Sequence, residues 1–234
     1  APDVGLDRPQ GHAGGRRDLL VGQPVHDGHT DGDLLGLAEL LEDLGGRPVL
    51  HRTVELLTNH DAVFTIIVAG SAEAYDEFIL RHGDKLGLLG VKVCKGGATH
   101  RWETVRNALA LVPDDATHIA VHDAARPCAS SELIDRLLAA AEKHAAVIPG
   151  VDVPDTIKRV SPSEARQKEI DPLDAILSGG GDRTKVRLVE ETVSRERLVL
   201  VQTPQVFSAK LLRRAYEQSD LTSTDDASLV ERLG

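Results

Sequence analysis

Cysteine is nearly absent: the 234 residues hold two. Neither Cys94 nor Cys128 has a second cysteine at ligand spacing, so a disulfide framework and a cysteine-built zinc site are not indicated, and each thiol reads as a small buried hydrophobe. No apolar run approaches membrane-spanning length, and the first residues lack the basic-then-apolar order of a secretory signal. A cytoplasmic location is the expectation. Positive charge is also short. Lys and Arg number 27 against 37 Asp and Glu, a formal net charge of −10, which argues against general nucleic-acid binding because phosphate backbones demand a basic surface. Any phosphorylated ligand must therefore meet a local basic pocket. The ten histidines show no triad or metal-ligand spacing, and no internal repeat is visible.

What is present is a chain with 41% hydrophobic and 27% charged residues, enough for one substantial core without covalent staples. Its composition changes abruptly near Leu44. Residues 1–33 are dense in Gly, Asp, His, Arg and Pro and predict loop rather than strand. Leu34 to Leu44 carries leucines at helical spacing. From there the pattern becomes regular, so the chain divides into an atypical, poorly ordered segment over 1–43 and a domain over 44–234. Pro48 opens a helix through about Asn59, Val63 to Ala69 is a β-branched strand, and Ser71 caps a helix carrying Ala74, Phe78 and Ile79. Val91 to Cys94 is a strand and Arg101 to Val112 a helix. Ser130 or Ser131 caps a helix to about Lys143, and Ala145 to Pro149 is another strand. This alternation predicts an α/β fold with a doubly wound, Rossmann-like parallel sheet. Val153 to Val160 and Lys185 to Val193 alternate like strands around a polar tract, Ser161 to Thr184, and predict a β-arm over about 153–195 with a flexible loop at its tip. Leu198 to Val201 returns to the sheet, Ser208 caps a helix to about Gln218, and Thr224 caps the last one.

One stretch stands out as a site signal. Val121-His122-Asp123-Ala124-Ala125-Arg126-Pro127 follows a buried strand, and it puts small residues and opposite charges at the carboxyl edge of the sheet, where open α/β sheets bind ligands. The same residues would also suit a plain strand-to-helix turn with a surface ion pair. Two weaker signals precede Leu44. Gly11-His12-Ala13-Gly14-Gly15-Arg16-Arg17 is glycine-rich and basic, like a phosphate loop, but follows no predicted strand. His26 to Asp33 interleaves imidazoles and carboxylates, and reads chiefly as a solvated polar tract.

His122 to Pro127 resembles the central motif of the 2-C-methyl-D-erythritol 4-phosphate cytidylyltransferases of the non-mevalonate isoprenoid pathway. Gly45 to Leu50, Gly96 to Thr99 with Arg101 to Val105, Asp155 to Arg159, Gln202 to Gln205 and Thr224 to Leu229 agree with that family in order. The resemblance covers about Leu44 to Gly234. It implies a nucleotidyltransferase fold, transfer of a cytidylyl group from CTP to the sugar-alcohol phosphate, Mg²⁺ as cofactor, and a homodimer embraced by the arm, with no membrane or nucleic-acid partner. By the same resemblance, Asp123 assists the metal or the sugar-phosphate hydroxyls and Arg126 contacts the sugar phosphate. Gly96, Gly97, Ala98 and Thr104, together with Ala124, form the cytidine side, and Thr156, Arg195 and Thr203 hold the sugar phosphate. The catalytic set is then Asp123, Arg126 and Arg195. The family's amino-terminal triphosphate loop, Ala-Ala-Gly-x-Gly-x-Arg, has no counterpart here, nor has its carboxy-terminal strand with an Asn-x-Lys-type motif, so low turnover is expected. A ribitol-5-phosphate cytidylyltransferase and a non-catalytic nucleotide-binding remnant are the alternatives.

Overall fold

The computed structural model describes residues 17–22, 43–162, 164–165 and 185–234. Two compact units are distinguished, one of residues 1–149 with 202–234 and one of residues 150–201.

The first unit is built on a six-stranded sheet. Its strands are β1 (Arg17–Gly22), β2 (Thr65–Gly70), β3 (Lys92–Lys95), β4 (His118–Asp123), β5 (Ala146–Val147) and β12 (Gln205–Ser208), in the spatial order β3-β2-β1-β4-β12-β5. β1 runs parallel to both neighbours, with Leu20 opposite Ile67 on one side and Val121 on the other. β12 is antiparallel to β4 and to β5. The sheet is thus parallel apart from one strand.

The helices are α1 (Val49–Thr58), α2 (Tyr75–Phe78), α3 (Asp84–Leu88), α4 (Arg101–Leu109), α5 (Ser131–Ala141), α6 (Ala209–Ala215) and α7 (Asp226–Glu231). They cover both faces. Side chains alternate along each strand, so Ile66, Val68, Ala120 and Val206 pack with Leu50, Val54 and Leu57 of α1 and Ile134, Leu137 and Leu138 of α5. The intervening Ile67, Ile119, Val121 and Phe207 pack with Val105, Ala108 and Leu109 of α4, Leu212 of α6 and Leu229 of α7. Fully burying each such side chain contributes about 1.5–3 kcal/mol. Helix starts follow local chemistry. Ser130 Oγ accepts from Leu133 N at 3.2 Å, Ser208 Oγ from Leu211 N at 3.4 Å, and Asp225 Oδ1 from Ser228 N at 3.0 Å.

Between α2 and α3 the chain makes a π-helical turn, Ile79–Gly83. This turn carries His82 into the core, where its Nδ1 lies 3.1 Å from Nε2 of buried His51. Its ring also packs on Phe78, with centroids 5.3 Å apart, and His82 Nε2 has no hydrogen-bond partner among the described residues.

Among the described residues, the second unit holds three two-stranded antiparallel ladders. β6 (Gly150–Asp152) pairs with β11 (Val199–Val201), β7 (Ile157–Val160) with β10 (Val189–Val193), and β8 (Glu164–Ala165) with β9 (Lys185–Val186). Lys158 Nζ donates to Thr192 Oγ1 and Arg159 Nε to Glu191 Oε1, each at 2.6 Å, across the β7–β10 ladder.

Five expectations are corrected. A strand does lie before Asp33: the short run Leu19-Leu20-Val21 sits between polar, glycine-rich flanks that masked it, yet a strand in mid-sheet needs only a few apolar residues. Val199–Val201 joins β6 in the second unit, not the main sheet, and Gln205–Ser208 is the strand that returns. Asp225, not Thr224, caps the last helix. Helix α2 starts at Tyr75, with Ser71 accepting only a long 3.5 Å bond from Ala74 N. Cys128 is exposed and Cys94 half-buried, where burial pushes the thiol up to about 11. Gly11 to Arg16, His26 to Asp33, the leucines of 34–41 and most of Ser161 to Thr184 lie outside the described residues.

Acid should weaken this fold. Burial, followed by neighbouring charge, lowers the pKa of both His51 and His82; Lys85 bears on both, Arg81 on His82, and Glu55 opposes the shift at His51. The folded state therefore binds fewer protons than the unfolded one, and stability present above pH ~6.5 is lost as pH falls below that value. His122, discussed below, adds to the same trend. The melting temperature should drop between pH 7 and 5, with a shallower slope in His82→Leu; an equal slope in that variant would refute the His82 contribution.

Candidate active site at the carboxyl edge of the sheet

The ends of β1, β2, β3 and β4 lie along one edge, with Gly22 of β1 opposite both Asp123 and Ala69. Two loops on this edge carry the chemistry.

The first follows β3. Gly96 N donates to Gly70 O at 2.8 Å, and Gly97 N to Thr104 Oγ1 at 2.9 Å. Both glycines are required by space. A Cβ on Gly96 would lie 2.7 Å from Gly70 O, and one on Gly97 would lie 2.4 Å from Glu103 Cβ and 2.8 Å from His100 O. Glu103 Oε2 accepts from Thr99 N at 2.9 Å and His100 N at 3.2 Å, and these bonds hold its carboxyl below the usual range. Asn107 Nδ2 donates to the carbonyls of Lys95 and Gly96 at 3.2 and 3.3 Å. The buried Thr104 hydroxyl thus holds the loop itself. Ala98, Thr99 and His100 are exposed beside the buried glycines.

The second follows β4. Arg126 N donates to Asp123 O at 3.0 Å, and Arg126 Nε to Asp123 Oδ2 at 2.8 Å. The guanidinium is 46% exposed, so this pair adds at most about 1 kcal/mol to stability and acts mainly to orient Arg126. Buried Ala124 is fixed from beneath, because Thr53 Oγ1 of α1 donates to its carbonyl at 2.8 Å. His122 is 1% exposed. Its Nδ1 lies 2.9 Å from Thr203 Oγ1 and its Nε2 3.1 Å from Arg126 O, while Asp123 N donates to the same Thr203 hydroxyl at 3.2 Å. Burial lowers the His122 pKa to about 4, against the opposing pull of its bond to Arg126 O, so the ring is neutral at pH 7.

The Thr203-Pro204 peptide is cis, and the next residue, Gln205, ties this corner to the last helix. Gln205 Nε2 donates to Asp225 Oδ2 at 2.9 Å, and its Oε1 accepts from Ala227 N at 3.2 Å. Beside it, Asp226 is fully buried between Arg101 Nη2 and the Tyr216 hydroxyl, each at 2.5 Å. Burial disfavours charge on Arg101, but Asp226 outweighs it and holds the guanidinium protonated; burial and then Asp226 drive the Tyr216 pKa up.

Among the predicted residues, Asp123, Ala124, Arg126 and Thr203 are brought together, and Gly96, Gly97 and Thr104 form one bonded loop. Thr156 and Arg195 belong to the second unit. Both are exposed there, and Arg195 Nη1 donates to the carbonyl of Pro154, close in sequence to Thr156. Arg101, Asp226, Tyr216 and Thr53 were not singled out from the sequence. Arg101 and Asp226 do fall inside two of the motif stretches, and an acid and a base recurring in such stretches was the available signal.

A helix-covered, mainly parallel sheet with a Gly-Gly loop and an acid–arginine turn on one carboxyl edge defines a nucleotidyltransferase-type α/β protein. The chain matches the model of the family 2-C-methyl-D-erythritol 4-phosphate cytidylyltransferase (IspD) over residues 34–171 and 174–234, and it belongs to that family. It is 40% identical over 201 residues to the 2-C-methyl-D-erythritol 4-phosphate cytidylyltransferase of Frankia casuarinae, covering 85% of this chain and 64% of that one. To the enzyme of the same name from Bacteroides fragilis it is 37% identical over 195 residues, covering 82% and 75%. The chain thus spans less than two thirds of the first relative's length. A crystal structure of 4-diphosphocytidyl-2C-methyl-D-erythritol synthase superposes with a TM-score of 0.65 at 30% identity, over 94% of this chain and 86% of that one. These relatives support the cytidylyltransferase reading, and neither alternative to it. No helix among the described residues is long and apolar enough to cross a membrane.

The glycine loop is testable on its own. Gly97→Ala forces overlap with Glu103 and should cost about 1–3 kcal/mol. Gly87→Ala, in α3 with nothing within 4 Å of its Cβ, should be neutral or stabilising by up to about 1 kcal/mol. Chemical denaturation of the two variants checks the contrast, and equal midpoints would contradict the packing described.

Proposed function

We propose that the chain catalyses cytidylyl transfer from CTP to 2-C-methyl-D-erythritol 4-phosphate. The observation that carries this reading is the convergence of Asp123, Arg126 and Thr203 at the end of β4, on the same sheet edge as the Gly96–Thr104 loop. An oxygen of the acceptor phosphate attacks the α-phosphorus of CTP, the bond from that phosphorus to the bridging oxygen breaks, and pyrophosphate leaves. Such chemistry between anions depends on positioning and charge neutralisation rather than on strong acids or bases. Arg126, aimed by Asp123 and half-exposed, meets the acceptor phosphate. Gly96, Gly97 and Ala98 present backbone to the cytosine, with Thr104 shaping that loop from within, and Ala124 lets the nucleotide approach the strand end. Thr156 and Arg195 complete the acceptor side from the arm of a second copy.

Asp123 fits a divalent cation such as Mg²⁺. Oδ2 is engaged by Arg126, whereas no hydrogen bond is made to Oδ1 by the described residues. A single carboxylate together with substrate phosphates is the usual way a protein holds Mg²⁺. When bound, the cation would neutralise phosphate charge. A homodimer is part of the same reading, because Val151, Leu188, Val189, Val199, Leu200 and Val201 of the second unit are all exposed and offer a second copy an apolar surface. A cytoplasmic enzyme without membrane or nucleic-acid partners completes it.

Pyrophosphate release should require CTP, the sugar-alcohol phosphate and Mg²⁺ together, and release without the acceptor would contradict the assignment. The chain departs from the family at the triphosphate loop, which in that family follows the first strand. Grafting that loop directly after Gly22, the end of β1, should therefore raise the rate by about 10²-fold or more. A graft with no gain would show that other residues already neutralise the triphosphate. Sedimentation should give a dimer for the intact chain and a monomer after deletion of residues 154–193.

A further inference from the structure

The glycine loop is held differently at its two ends. Its near end is buried: Gly96 N and Gly97 N are bonded to Gly70 O and Thr104 Oγ1, and both glycines are closely packed. Its far end, Ala98 to His100, is exposed. There Thr99 N and His100 N are bonded to Glu103 Oε2 at exposed positions, where water competes for the same groups. A second anchor at this end is a ring. His100 is the N-cap of α4, with extended backbone at φ −126° and ψ 146°. From that position its side chain accepts from Glu103 N and also stacks on Trp102, the two rings inclined by only 17° with centroids 5.8 Å apart. Trp102 is half-buried and packs against the same buried cluster as Val105, Ala108 and Leu109. One turn further on, Arg106 sets its guanidinium carbon 4.7 Å from the indole centroid.

We propose that His100 and Trp102 are positioning residues for the nucleotide: their stack pins the exposed end of the glycine loop to α4, and so holds the backbone of Gly97 and Ala98 where the cytosine is met. This role rests on the cytidylyl-transfer reading above for its ligand, and on the stack alone for its hold on the loop. A planar stack suits an exposed anchor. It gains by excluding water from between two rings, whereas an exposed hydrogen bond gains little over the water that it replaces. The cap and the stack of His100 are separable by substitution. Asn keeps a cap acceptor and has no ring, and Phe keeps a ring and has no acceptor.

Two measurements test it on the full chain. Backbone nitrogen relaxation should find the amides of Ala98 and Thr99 ordered in the unmodified protein and in His100→Phe, and mobile in His100→Asn and Trp102→Leu. Calorimetric titration with CTP should give the same grouping. His100→Asn and Trp102→Leu should lose about two- to tenfold in affinity, the size of one aromatic stack, and His100→Phe should stay near the unmodified value, while methylerythritol phosphate binds all four chains alike. A helix cap alone predicts the reverse, with order and affinity kept in His100→Asn and lost in His100→Phe, and that result would overturn the proposal. So would equal order at Ala98 and Thr99 in all four chains, equal affinity for CTP in all four, or a parallel loss of methylerythritol phosphate. If the unmodified chain binds no CTP, the cytidylyl-transfer reading and the nucleotide role fall together, and relaxation still decides whether the stack holds the loop.

Discussion

Everything in the main unit depends on the backbone pairing of β1. A strand in mid-sheet must satisfy donors and acceptors on both sides, and β1 does so with β2 on one side and β4 on the other. Without it, the inner edges of β2 and β4 would be unpaired and the two halves of the sheet would have no common plane. It also sets the site. Because Gly22 lies opposite both Ala69 and Asp123, and Gly70 opposite Lys95, the parallel register brings the carboxyl ends of β1, β2, β3 and β4 to one line, and the two functional loops leave from that line.

Above the sheet, a second constraint holds the loops: polar groups at the site are joined to each other before any ligand arrives. Thr203-Pro204-Gln205 and Asp225-Asp226-Ala227 are distant in sequence yet form one bonded corner through Gln205, while Arg101 ties Asp226 to the start of the helix that follows the glycine loop. The buried Arg101–Asp226–Tyr216 cluster is costly to break, because removing one partner leaves a charge in the interior, on the order of 3–5 kcal/mol. Such a cluster is a way to keep two loops in one arrangement rather than a large net source of stability.

Much of this was legible in the chain. Apolar spacing located α1, α4 and α5, and β-branched runs located β2 and β4, because both faces of the sheet are covered and the pattern is unbroken. The Asp123–Arg126 turn was readable for the same reason that it works: small residues and opposite charges at a strand end have few other uses. The resemblance to a family then placed Gly96, Gly97, Thr104 and Thr203 at one site. Other features were not readable. Leu19 to Val21 is too short to announce a strand between Gly15 and Gly22. Val199 to Val201 is as strand-like as Gln205 to Ser208, and only pairing distinguishes which one enters the main sheet. The seat of His122, with Nε2 3.1 Å from Arg126 O and Nδ1 2.9 Å from Thr203 Oγ1, joins residues 81 positions apart, which no spacing rule contains.

The π-helical turn at Ile79–Gly83 gives chain length itself a meaning. Such a turn holds one residue more than a regular α-helix would need there. Removing one residue from it would let the turn close into regular α-helix, one residue shorter, while the faces before and after it kept nearly the same direction. Leu86 would then stay buried in the core. The same deletion inside α1 or α5 would rotate all that follows by about 100° about the helix axis and turn buried side chains toward solvent. The π turn is thus a place in this stretch where chain length can change without turning the core face away.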